Sequence, residues 1–146
     1  MRILKSNTTR IIQAGLAYFA LVFGAGFMLG AIRVPFLVPR LGERIAELVE
    51  MPFMFVIVLL SARFIVRRFS SPATTSARLS VGLLALALAL VAEMLLAVVI
   101  QKQSFGEYIS SRDPVSGTVF LLMLVLFALM PLVIASTKSK PSIETR

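Results

Sequence analysis

The chain has 146 residues, is 58% hydrophobic, and carries a formal net charge of +8 with a mean hydropathy of +0.94. It contains no Cys and no His, which excludes disulfides, thiol redox chemistry, His- or Cys-ligated haem, the usual zinc sites and a Ser-His-Asp hydrolase. A soluble domain is about 45–50% apolar; here the apolar residues fall in long blocks with Lys and Arg at their ends, a pattern of membrane topology rather than of a phosphate-binding stripe.

Segment one covers residues 11–32, after a basic start at Arg2, Lys5 and Arg10. It is longer than the roughly 7–15 apolar residues of a signal peptide, and no clear small-x-small site follows, so a retained helix is expected. It carries small residues at four-residue spacing, Ala20 with Gly24 and Gly26 with Gly30, which allow a neighbouring helix to approach closely.

The following stretch holds Arg33, Pro35 and Pro39; the prolines are expected to end helix one in an irregular turn. From Arg40 a helical period sets in. Leu41, Ile45, Leu48 and Val49 share one face, and Glu43, Arg44, Glu47 and Glu50 share the other. This predicts a short helix lying in the interface and bending at Pro52 into segment two. Arg33, Arg40, Glu43, Arg44, Glu47 and Glu50 form a candidate charged cluster, either a plain connector or a platform for a partner or a headgroup. An Arg33–Glu50 pair closing this loop is expected.

Segment two covers 48–66 and is interrupted by Arg63. Arg63, Arg67, Arg68 and, past a short polar loop at Ser70, Ser71 and Pro72, Arg78 make a basic cluster. Such a cluster anchors positive-inside topology and is a candidate contact for anionic lipid.

Segment three covers 80–100 and contains Glu93. An ionised carboxylate at such depth costs on the order of 2.5–3.5 kcal/mol, so it must face protein or water or be protonated. Ala85, Ala89, Glu93, Ala97 and Gln101 lie four apart on one stripe. At Glu93's depth, helix one presents Gly24 and Gly26, so close packing of helices one and three is expected there. Glu93, Gln101, Gly24 and Gly26 are the candidate intramembrane polar site. Arg33 is the better-placed cation for Glu93; Arg63 lies toward the other side, on the order of 10 Å away in depth.

Segment four covers 115–135. Asp113 followed by Pro114 reads as an N-cap and a first-turn proline. Pro131, inside the segment, frees a carbonyl near residue 127, which must find a partner within the bundle. Residues 138–146 are polar and are expected to be a disordered tail.

The reading is therefore an all-α polytopic membrane protein: a four-transmembrane-helix bundle over residues 1–137, with a short interfacial helix between helices one and two. Ten of the fifteen Lys and Arg fall on the side of the termini and five on the other, which predicts cytoplasmic termini. With the stretch 26–33 (GFMLGAIR), Pro39 to Glu43 (PRLGE), Glu50–Met51–Pro52 and Arg112–Asp113–Pro114, most of the chain resembles small four-helix bacterial inner-membrane proteins of uncharacterised function. That resemblance implies the bacterial inner membrane and no particular activity. No catalytic motif, cofactor, metal or nucleic-acid partner is expected. The expected partners are the bilayer and either another protein or further copies of this chain. Three functional readings follow: an accessory or interaction subunit of a membrane complex; a small oligomeric proton-coupled transporter or channel using Glu93; and, behind these, a membrane enzyme acting on lipid through Glu43, Glu50, Glu107 and Asp113 near the outer surface.

Overall fold

The computed structural model describes residues 2–69, 74–100, 102 and 104–137, with side chains from Asn7 onward. The described residues form helices and no strand: α1 (Arg2–Ile32), a wider π-helical turn (Arg33–Leu37), α2 (Val38–Leu41), α3 (Glu43–Arg68), α4 (Thr75–Val99), α5 (Phe105–Ser110) and α6 (Pro114–Thr137). Among the described residues, four helical runs are long and apolar enough to cross a membrane. The protein is thus an all-α, multi-pass membrane protein. The loop at Ser70, Ser71 and Pro72, the site residue Gln101 and the tail 138–146 lie outside the described residues.

The surface supports this reading. Leu121, Leu122, Val125, Phe64, Val91 and Leu95 are all more than half exposed. In water such apolar patches would drive association; in a bilayer they face lipid tails.

The first connection differs from expectation. Pro35 and Pro39 do not stop the helix. Pro35 has no N–H to give, and the backbone widens so that the Val38 N–H reaches the Arg33 carbonyl. Pro39 falls in the first turn of α2, where amide donors have no helical partner anyway. The break comes at Gly42, whose φ of 79° is a conformation that glycine adopts without penalty. A short helix does stand between the first two spans, but it is Val38–Leu41. Residues 43–50 are the opening turns of α3, which continues unbroken past Pro52.

The spans pack as a square. α1 packs on α3 and α4, and α6 packs on α3 and α4; α1 and α6 lie across one diagonal, α3 and α4 across the other. In the half nearer the termini the square is filled. Ala14, Tyr18, Val22, Val58, Ala62, Ile65, Val81, Ala85, Phe127 and Met130 form the core there. Close approach rests on glycine: a Cβ on Gly82 of α4 would fall on the Ala128 carbonyl of α6, and one on Gly15 of α1 would come within 2.7 Å of Leu84 of α4.

Across the α1–α6 diagonal, the Tyr18 hydroxyl donates to the Phe127 carbonyl at 2.8 Å, and the two rings meet at a tilt of 38° with centroids 4.7 Å apart. That carbonyl is the one Pro131 leaves without its i+4 amide. The partner required by the sequence is therefore a phenol on the opposite helix, fully buried.

Candidate functional site

In the other half, distal to the termini, the diagonals stand apart and a cavity of about 520 Å³ opens between the helices. Its floor is apolar, formed by Val22, Val58, Ala89 and Phe127, and its upper wall is charged.

Glu93 lies in this upper wall. Its Oε2 accepts a hydrogen bond from the Tyr108 hydroxyl at 3.1 Å. Arg112 donates in turn to the Tyr108 oxygen. The same guanidinium lies 3.9 Å from Glu93 and 4.0 Å from Glu47. Glu47 also meets Arg33 at 3.6 Å, and Arg33 meets Glu50 at 3.2 Å. The result is one alternating chain, Glu93–Arg112–Glu47–Arg33–Glu50. Arg112 is held flat by aromatic faces, its guanidinium carbon 4.2 Å from the Phe120 centroid and 5.0 Å from that of Tyr108.

Local sequence positions the second tier of this wall. Ser104 and Glu107 form a reciprocal capping box that starts α5, placing Tyr108 one residue on. Asp113 caps α6, its Oδ1 accepting from the amides of Val115 and Ser116 at 3.0 and 3.1 Å, and its Oδ2 pairs with Arg44 of α3. Burial, and then the Glu93 charge, hold the Tyr108 phenol above its ordinary pKa. It is therefore a neutral donor at physiological pH. The backbone and side chain of Ser104 hold Glu107 below the usual carboxylate range, and the Arg44 hydrogen bond leads the same effect on Asp113.

Several expectations are revised. The amphipathic stretch turns its acidic face inward: Glu47 is buried, while Ile45 and Val49 are exposed. Glu43 and Arg40 stay on the outside. Arg33 does pair with Glu50, but the cation against Glu93 is Arg112, which sequence reasoning did not consider for that role. Tyr108 was also missed. The signal was present: Tyr108 and Arg112 are one helical turn apart beside the capped start of a span. Gly24 is exposed, with nothing within 4 Å of an added Cβ, and Gly26 faces Met54 of α3 rather than α4. The first and third spans, α1 and α4, do pack, but their closest glycine contact is Gly15 on Leu84; farther along, α1 borders the cavity instead. The stripe Ala85, Ala89 and Ala97 is buried within the bundle.

Arg63, Arg67 and Arg68 are exposed at the terminal end of α3, and Arg78 is half-buried beside Val66 and Phe69. None of the four lines the cavity. Among the described residues no group of three or more His, Cys, Asp or Glu is placed to hold a metal ion.

Fold and site together define a four-span membrane protein with a charged, half-apolar cavity at one end. No family model, curated protein or solved structure matches the chain.

Proposed function

We propose that this protein is a small transporter-type membrane protein that binds an organic solute in the distal cavity, with Glu93 as the central carboxylate. The observation that carries this reading is the 520 Å³ cavity holding Glu93 in its wall. The volume falls within the roughly 300–1,000 Å³ of small-molecule sites, and an apolar floor with a few convergent polar groups is their usual make-up. An ionisable residue inside a span is by default a functional group. With the termini cytoplasmic, as the charge bias predicts, the cavity faces the external side. The Tyr18–Phe127 contact and the core around it close the other side, so this is an outward-facing arrangement.

The reading as an accessory subunit keeps one observation in its favour. Only 6% of the most apolar stretch of the first span is buried in the bundle, against 28% for each of the others, and Ala20 and Gly24 lie on its outside. That face suits a second copy or a partner helix.

Native mass spectrometry of the gently extracted protein separates the two. The transporter reading expects the chain alone or as a homo-oligomer, with proton or solute flux in vesicles that Glu93→Gln abolishes without loss of helical structure. A second polypeptide at fixed stoichiometry, together with unchanged flux in Glu93→Gln, overturns it in favour of the subunit.

A further inference from the structure

The cavity also specifies the charge of its ligand. This inference rests on the proposed binding role of the cavity and deepens it. Three carboxylates line the cavity, Glu47, Glu50 and Glu93, against two guanidiniums, Arg33 and Arg112. The ion-pair chain therefore ends on a carboxylate at both ends, with one negative charge in excess. Neither Arg40 nor Arg44 supplies the missing charge: they do not line the cavity, and Arg44 is engaged by Asp113. Arg112 cannot be shared further, since it already spans Glu93, Glu47 and the Tyr108 oxygen.

The last carboxylate is short of donors as well. Among the described residues the buried Glu50 Oε2 accepts no hydrogen bond and the buried Nε of Arg33 donates none, although the two side chains meet as an ion pair at 3.2 Å. A charge without a full counter-charge inside a span is costly, so such a carboxylate either takes up a proton or serves as the counter-ion of a bound cation. Below the carboxylates the walls are aromatic and aliphatic, including Phe23, Phe27 and Phe127. Aromatic faces attract a desolvated cation and pack against an apolar body. The cavity also reaches the outside of the bundle along the end of α1 and the π-helical turn after it, because Phe27 and Val34 line it while being 53% and 59% exposed. A molecule dissolved in the outer part of the membrane can approach there.

We infer that the distal cavity takes a lipophilic monocation, a molecule with one positive charge on an apolar body, its charge set against the Glu93–Glu47–Glu50 wall and its body on the Phe127 floor.

The test uses two ions of matched shape and opposite charge, tetraphenylphosphonium and tetraphenylborate, with the full-length protein in nanodiscs and empty nanodiscs as the partition control. Equilibrium dialysis is expected to show saturable binding of the cation and only partition of the anion. Glu93→Gln and Glu50→Gln, each checked for native helicity, are expected to weaken cation binding about tenfold, the effect of losing about 1.4 kcal/mol. Two independent charge variants guard against one failing to fold. Gly30→Leu supplies the control for the cavity itself. Gly30 lines the cavity, and a Cβ there meets nothing within 4 Å, so the larger side chain grows into the space and is expected to block binding. Equal saturable binding of both ions, both blocked by Gly30→Leu, overturns the charge assignment and leaves the binding cavity standing. Saturable binding that Gly30→Leu does not touch, or no saturable binding of either ion, overturns the cavity reading as well.

Discussion

Tyr18→Phe isolates a single hydrogen bond. The ring stays, with its tilted contact on Phe127, and only the hydroxyl is lost. The Phe127 carbonyl then has neither the phenol nor, because residue 131 is proline, its helical amide. A buried carbonyl without a donor costs about 1–3 kcal/mol. Interhelical hydrogen bonds in one well-studied helical membrane protein average about 0.6 kcal/mol and reach about 1.7, because displaced groups find other partners. Here the usual alternative partner is missing and Tyr18 is fully buried, so the upper end applies, about 1.5 kcal/mol. Pro131→Ala restores an amide to that carbonyl. In that background Tyr18→Phe is expected to cost about 0.5 kcal/mol or less, giving a coupling of about 1 kcal/mol in the double-mutant cycle. The cavity left by the proline ring is common to both arms and cancels. Unfolding in mixed micelles with increasing sodium dodecyl sulfate, followed by circular dichroism, reads all four proteins. Equal costs of Tyr18→Phe in both backgrounds would refute the idea that the phenol compensates for the proline.

Gly82→Ala forces α4 away from α6, because the new methyl group meets the Ala128 carbonyl rather than a movable side chain; a loss of about 3 kcal/mol or more is expected in the same unfolding assay, and a stable, native-like variant would show the helices are not so close. Arg112→Gln removes the cation between Glu93 and Glu47; with its side chain about a quarter exposed, roughly 1–2 kcal/mol is expected, below the cost of breaking a fully buried pair, and an unchanged melting temperature would count against the ion-pair chain. The two caps give a pH dependence. Glu107 and Asp113 are held below their ordinary pKa values when folded. Their contribution is present above the unfolded pKa and is lost as pH falls through the folded one, below about pH 4. Asp113→Asn, which caps without titrating, is expected to flatten part of that acid limb in melts recorded against pH; an identical limb in both proteins would assign the acid sensitivity elsewhere.

How much of this was legible in the sequence depends on the range of the interaction. The spans follow from runs of apolar residues, which is local information. The cap at Asp113 and the orphaned carbonyl below Pro131 are local rules too, and the second even demanded a partner without naming it. Tyr18 is 109 residues from Phe127, and only the packing of the bundle brings them together. The pairing of Glu93 with Arg112 failed to emerge for a similar reason. Depth along a span ranks candidate cations, but α5 and the turn after it bring Tyr108 and Arg112 to the cavity wall, and depth does not record that. The charged face of residues 43–50 was legible from the period, but not which way it turns. Amphipathicity gives two faces, and in a membrane the polar one turns toward protein as readily as toward water.

The order of the helices around the square has a consequence for chain connectivity. α1 with α3, and α4 with α6, are each antiparallel neighbours in sequence and in space, whereas α3 and α4 are joined by the chain but lie across the diagonal, with no close backbone approach. The protein is two helical hairpins docked side by side. The Tyr18–Phe127 bond, the Arg112–Glu47 contact and the Arg44–Asp113 pair all run from one hairpin to the other, and the cavity lies between the two halves. Cutting the chain between α3 and α4 should therefore leave two inserted pieces able to find each other in the bilayer. The contacts that rejoin them are the same ones that would have to loosen if the halves rocked apart around a bound molecule.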